Sequence, residues 1–251
     1  MPTDRERKQK HQMSNNYFKF KKFTIFQDNC AMKVGTDGCL LGGWFSCENS
    51  KRVLDIGCGS GLISIMAAQR CDAGITGIEI DSAAAAQAME NVKNSPWKER
   101  IEIINVNFLE FNPKELYDTI VSNPPYFVNS LKCDSTSRTL ARHSDSLGSN
   151  DFFIKAEKVL APDGRISIII PCDILEEWQT SAGNAGLIAT RLTHIKTTPR
   201  KGAKRVMAEF MRKSEAGTKS TATDTLVLES SPGVYSDEAK TILRDFYLKI
   251  E

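Results

Sequence analysis

The stretch VLDIGCGSG, Val53–Gly61, decides how the rest of the chain is read. Its first half is apolar and β-rich, and it runs straight into three glycines spaced by one residue. LISIMAAQR follows, with helical character, so the stretch is a strand–turn–helix unit. Glycines permit positive φ and let backbone approach a ligand closely, and the helix start offers its N–H groups. A dinucleotide turn reads GxGxxG. Here Gly57, Gly59 and Gly61 are present but position 62 is Leu. That spacing is wrong for NAD, and no hydride-site residues stand out elsewhere.

The alternation continues on both sides. RVLDIG, GITGIEI, RIEIINV and YDTIVS read as strands, and SAAAAQAMENVK as a helix with Ser82 as its N-cap. DFFIKAEKVL then reads as a helix and RISIIIP as a strand, followed by a helix over DILEEWQTSAGNAG. LIATRLTHIKTTP and KRVMAEFMRK read as two long strands of a hairpin turning at Arg200–Ala203, inside a basic hairpin of about 191–213. TDTLVLES suggests a last short strand, and a C-terminal helix is expected over about 236–250. Near the start, YFKFKKFTIF alternates aromatic and basic residues and reads as one short strand. Strands alternating with helices predict an α/β fold. Its sheet is mostly parallel, seven-stranded and covered by helices on both faces, with a terminal antiparallel strand from the closing hairpin. Residues 1–16 read as a disordered basic extension, and 17–251 as one domain.

The 251 residues are 41% hydrophobic and 25% charged, an ordinary globular balance. No apolar run approaches the roughly 20 residues of a membrane helix, and the polar N-terminus lacks the apolar core of a secretory signal. Seven cysteines without a CxxC pair predict reduced thiols in a cytoplasmic protein, with neither disulfides nor a structural metal. The net charge of +2 is unevenly placed. Met1–Lys22 holds seven Lys/Arg against two acids, and Arg191–Lys213 holds eight against Glu209 alone. Such basic segments are either phosphate-binding surfaces or ordinary solvated faces.

SNPPYF, Ser122–Phe127, ends the strand YDTIVS with two prolines, neither of which can donate to a sheet ladder. DIGCGSG with IEID and NPPY in this order resembles the class I methyltransferases, Rossmann-like enzymes that use S-adenosyl-L-methionine (SAM) and release S-adenosyl-L-homocysteine. The resemblance implies that Asp55, Gly57, Gly59 and Gly61 form the first cofactor motif, with Asp55 near the methionyl amine. Glu79 would accept the ribose hydroxyls, and Asp81 either assists or caps the next helix. Asn107 stands where the family often has Asp, a departure, and its amide can still pair with the adenine edge. Phe108 either lies against the adenine ring or is a core residue.

NPPY implies methyl transfer to a planar amine or amide. The lone pair of such an amine is delocalised into the ring. Accepting hydrogen bonds from both its N–H groups, by the Asn123 side-chain carbonyl and the Pro124 backbone carbonyl, favours a pyramidal nitrogen aimed at the methyl group. Pro125 stiffens the loop, and Tyr126 can stack on the flat substrate. NPPY is shared by nucleic-acid adenine-N6 enzymes, rRNA guanine-N2 enzymes and protein-glutamine N5 enzymes.

FKFKKFTIFQDNCAMKVGTDGCLLGGW, LARHSDSL and KRVMAEF make the chain similar, over about residues 14–251, to bacterial tRNA adenine-N6 methyltransferases. Those enzymes modify the adenosine beside the anticodon, position 37, of a valine tRNA. By that resemblance Lys33, Thr36 and Asp37 contact the methionine end of SAM, and Asn123 is counted with the cofactor site as well, facing the methyl group. Lys19, Lys21, Lys22, Arg200, Lys201, Lys204 and Arg205 would embrace the tRNA backbone. Arg142 and His143 are either substrate-loop residues or a surface pair. Residues 1–13 fall outside the match, with Met13 an alternative start. A monomer acting on tRNA without a metal is expected. Against it stand glutamine methylation of release factors, rRNA guanine methylation and a non-catalytic RNA-binding scaffold.

Overall fold

The computed structural model describes residues 16–30, 32–125, 147–217 and 220–250. A short hairpin, β1 (Tyr17–Lys19) and β2 (Thr24–Phe26), precedes α1 (Thr36–Trp44). Then follow β3 (Arg52–Ile56), α2 (Leu62–Arg70), β4 (Gly74–Glu79), α3 (Ser82–Lys93), β5 (Ile101–Asn105) and β6 (Tyr117–Ser122). The second half holds α4 (Ser149–Val159), β7 (Leu160–Pro171), α5 (Leu175–Asn184), β8 (Leu187–Lys196), β9 (Arg205–Arg212) and α6 (Lys213–Ala216). It closes with β10 (Ala222–Val227), β11 (Glu229–Ser231), β12 (Val234–Tyr235) and α7 (Asp237–Leu243).

The main sheet has the order β10-β8-β9-β7-β6-β3-β4-β5. Neighbours pair in parallel except β9, which runs antiparallel to both β7 and β8. The mostly parallel sheet holds as read, with two refinements. It has eight strands because β10 adds an outer edge, and the antiparallel strand lies inside the sheet. β9 reaches that slot because a tight return from β8 reverses direction and inserts beside β7.

Alternate residues of each strand feed two cores. On one face Val53, Ile75, Val121, Ile169 and Met207 meet α1, α2 and α7. On the other Leu54, Ile78, Ile120, Ile168 and Ala208 meet α4 and α5. Each fully buried large side chain contributes roughly 1.5–3 kcal/mol, so these faces dominate the stabilisation. Helix α1 was not anticipated from sequence. Its GG pair lets it sit against its neighbours, since a Cβ on Gly42 would lie 2.6 Å from Met66 Sδ and one on Gly43 2.5 Å from the Ile242 carbonyl oxygen.

Three local readings change. YFKFKKFTIF is a hairpin, closed where Phe20 N donates to the Phe23 carbonyl at 2.8 Å. Helix α3 is capped by Asp81, whose Oδ1 accepts from Ala84 N at 2.8 Å, and not by Ser82. The C-terminal helix covers Asp237–Leu243, because Phe246 then turns in to be buried.

Candidate active site

The register of three adjacent strands builds the site. Ile56 pairs with Ile78 on one side and Ser122 on the other. The residues that follow, Gly57, Glu79 and Asn123, therefore emerge in a row at the carboxyl edge of the sheet. That is where open α/β sheets bind ligands. Ser122 Oγ fixes the row by donating to the Ile56 carbonyl at 2.8 Å.

Gly57 N and Cys58 N donate to the Ile78 carbonyl at 2.9 and 3.0 Å, pinning the glycine turn to β4. Gly57 and Gly59 have φ of 69° and 54°, and a Cβ on either would meet no atom within 4 Å. The turn thus presents bare backbone to open space. Glu79 closes it, accepting from Gly59 N at 2.9 Å through Oε2 and from Asp81 N at 3.0 Å through Oε1. A carboxylate has about four acceptor sites, so both oxygens keep capacity for a ligand's hydroxyls.

These residues line a cavity of about 900 Å³, near the upper end of ordinary ligand sites. Lys33, Thr36, Asp37, Gly57, Gly59, Glu79, Asp81, Asn107, Phe108, Asn123, Pro124 and Pro125 are brought together on its wall. Phe108 is buried with its ring 5.9 Å from Phe152 in the core, and it also lines the cavity. Asn107 Oδ1 accepts from Leu109 N at 3.0 Å, which leaves its amide hydrogens as the donors it can offer. Burial raises the thiols of Cys30 and Cys58, both on the wall, so neither is a ready nucleophile.

Two motif residues stand back from the wall. Asp55 is fully buried beneath the turn, with Oδ2 accepting from Ser64 Oγ at 2.7 Å and Oδ1 without a hydrogen-bond partner. Burial pushes its carboxyl up to about 7, against the pull of the Ser64 hydrogen bonds. Gly61, at φ 80°, starts α2, and a Cβ there would touch Ala88 at 3.4 Å.

The basic residues divide. Arg200, Lys201 and Lys204 are exposed on the turn between β8 and β9, at the same edge as the cavity. Arg205 lines the cavity itself, with Nε donating to Asp37 Oδ2 at 2.8 Å. Lys21 and Lys22 share a separate pocket with Gln69, Arg70 and Glu48. Arg70 ends α2 just before β4 begins, so this pocket lies at the opposite edge of the sheet. The structure does not bring them together with the β8–β9 turn. Tyr126, Arg142 and His143 lie outside the described residues.

Sequence reasoning missed Ile80 and Leu109, 64% and 43% exposed, which line the cavity. An apolar residue directly after Glu79 and another directly after Phe108 were the available signal. It also missed Leu147 and Asp151, brought to the wall by the start of α4.

Residues 31–175 match the family described as Methyltransferase small domain. The tRNA1(Val) (adenine(37)-N6)-methyltransferase of Bacteroides thetaiotaomicron is 44% identical over 241 residues, covering 95% of this chain and 100% of the relative. The chain belongs to this methyltransferase family. The enzyme of the same name from Trichodesmium erythraeum is 40% identical over 242 residues, covering 94% of this chain and 100% of the relative. The family's fold recurs in a crystal structure of an O-methyltransferase predicted in Agrobacterium tumefaciens, with a TM-score of 0.66 at 18% identity over 86% of this chain and 99% of the other. A glycopeptide N-methyltransferase crystallised with SAM shares the fold at a TM-score of 0.54 and 11% identity, over 72% of this chain and 100% of the other. Among the described residues no helix is long and apolar enough to cross a membrane.

Proposed function

We propose that this chain transfers a methyl group from SAM to the exocyclic N6 amine of adenosine 37 in a valine tRNA. The observation that carries the reading is the row Gly57, Glu79, Asn123 along one cavity wall, in a chain whose family members carry that activity in their names. The bare glycine turn and the Glu79 carboxylate suit the polar end and ribose of SAM. Ile80, Leu109 and Phe108 would flank its adenine, and Asn107 would donate to the ring edge. Lys33, Thr36 and Asp37 reach the methionine end. Bound SAM supplies an electrophilic methyl group on a positively charged sulfur.

The remaining work belongs to the protein. Asn123 and the Pro124 carbonyl accept the two amine hydrogens and aim the nitrogen lone pair, while Pro125 holds them in place. No residue needs to act as a base before transfer, since the amine sheds its proton afterwards. Tyr126 would hold the extruded base by stacking, worth about 1–3 kcal/mol. A base in an anticodon loop is already partly unstacked, which lowers the cost of extrusion. The same reading has the chain act in the cytoplasm as a monomer, over 17–251, with no metal in the step.

The test is direct. The protein is incubated with SAM and unmodified total tRNA, and the digested RNA is assayed by mass spectrometry for N6-methyladenosine. Its appearance at position 37 of valine tRNA supports the reading. Methyl label on release factor in place of tRNA sinks it.

A further inference from the structure

The β1–β2 hairpin has an inner and an outer face, and they are treated differently. Phe18, Phe20, Phe23 and Ile25 turn inward, where Phe20 stacks on Phe23 at 4.5 Å and Phe18 meets Tyr247 at 5.8 Å. Tyr17 pairs across the strands with Phe26, and Lys19 with Thr24, so these four share the outer face. Tyr17 is 53% and Phe26 37% exposed, with ring centroids 6.2 Å apart. Two neighbouring aromatic rings left to solvent, with a lysine one strand-step away, combine a stacking surface with a phosphate contact.

The hairpin is tied to the rim of the cavity. Asn91 is fully buried, and its Nδ2 donates both to the Phe26 carbonyl at 2.8 Å and to the Ser60 carbonyl at 2.9 Å. Its Oδ1 accepts from Phe26 N at 2.9 Å. Ser60 belongs to the glycine turn and lines the cavity. The next residue, Gln27, accepts through Oε1 from the N–H of Val34, another wall residue, at 2.7 Å. The Tyr17–Phe26 end of the hairpin is therefore anchored beside the cavity wall.

We infer that Tyr17 and Phe26 form a stacking platform for an unpaired nucleotide of the substrate RNA, one other than the methylated base, with Lys19 on its phosphate. The occupant is single-stranded RNA because aromatic faces accept any base, and an adjacent cation complements the backbone. The chain entering the hairpin carries Arg5, Arg7, Lys8 and Lys10 as well, which favours a polyanion over an apolar partner. The inference rests on the reading of the chain as a tRNA methyltransferase, and its test separates the two.

Wild type, the double variant Tyr17→Ser/Phe26→Ser, the single variant Tyr17→Trp and the variant Lys19→Gln are compared with unmodified tRNA as substrate. Methyl transfer by wild type settles the parent reading. Its absence overturns both. Given transfer, the double variant is expected to raise KM for tRNA about tenfold, with kcat, SAM affinity and thermal midpoint near wild type. Tyr17→Trp, which keeps a larger ring, retains a near-normal KM, and Lys19→Gln lowers the slope of log K against log salt by about one. An unchanged KM in the double variant overturns the platform. So does an equal loss of SAM affinity, which would mean that the hairpin supports the cofactor wall. Concentration-dependent dimerisation lost in the double variant reassigns the rings to a second copy. A KM restored by removing residues 1–15 reassigns them to the chain's own N-terminal segment.

Discussion

Arg205 Nε donates to Asp37 Oδ2 at 2.8 Å, joining the first residue of β9 to the first turn of α1 across the cavity. A residue expected on the phosphate track and one expected on the cofactor thus form a single ion pair, each about one-third exposed. At that exposure the pair itself adds little stability. Its effect is positional, because it holds the start of α1 over the site. Arg205→Ala should raise KM for SAM about tenfold and move the thermal midpoint by no more than a few degrees. Arg205→Lys, which keeps charge but not the planar fork, should recover part of the loss. Steady-state kinetics at saturating tRNA measure this. An unchanged KM for SAM would return Arg205 to the RNA surface.

Asn123 follows the aligned row at the end of β6, half-buried, with Nδ2 3.9 Å from where a Cβ on Gly38 would lie. On the proposed reading Asn123 acts on the amine, so Asn123→Ala should lower kcat by two or more orders of magnitude while SAM affinity stays within about twofold. Calorimetry of SAM binding beside a single-turnover assay separates the two. Parallel loss of binding would make Asn123 a cofactor or fold residue.

Glu79 does two jobs. Its carboxylate receives the Gly59 and Asp81 N–H groups, and it faces the cavity. Glu79→Ala should abolish measurable SAM binding and also cost about 1–3 kcal/mol of stability, since two donors lose their acceptor. Glu79→Gln keeps one carbonyl acceptor and should fall between. If Glu79→Ala binds SAM normally in calorimetry, the residue is only a loop anchor.

The fold was legible because its strands carry continuous apolar runs and its turns carry glycine, signals that are local. The place of Glu79 and Asn123 at the cavity was legible for the same reason, as each ends an apolar run beside a recognisable turn. What escaped was long-range. Nothing around Asp37 shows that its partner is Arg205, 168 positions away. Helix α1 was obscured because GCLLGGW lacks a polar stripe, being packed between α2 and α7. The two lysine groups looked alike in sequence, and only the direction of α2 places Lys21 and Lys22 at the far edge.

Asp55 makes stability depend on pH. Its carboxyl is raised to about 7 by burial, above its unfolded value. The folded state then holds a proton that the unfolded chain gives up between about pH 4 and 7, so this contribution falls as pH rises through that window. Asp55→Asn should flatten the decline of the thermal midpoint between pH 5 and 8. SAM, being cationic, should favour the ionised form and shrink the same decline in wild type. Calorimetric scans across that range test both, and a variant that declines as steeply as wild type would remove Asp55 as the cause.

Location should matter more than charge. Replacing Arg200, Lys201 and Lys204 with Ser removes three cations from the turn beside the cavity. The same change at Lys21 and Lys22 removes two from the opposite edge, where Lys21 Nζ already donates to the Arg244 carbonyl at 2.5 Å. Each cation that no longer meets a phosphate lowers the slope of log K against log salt by about one. The first set should therefore flatten the slope for tRNA by up to about three and weaken binding at low salt, with SAM affinity unchanged. The second set should leave both nearly as they were. Equal effects from the two sets would mean that the RNA wraps to the far edge. An effect from Lys21 and Lys22 alone would move the RNA track away from the β8–β9 turn.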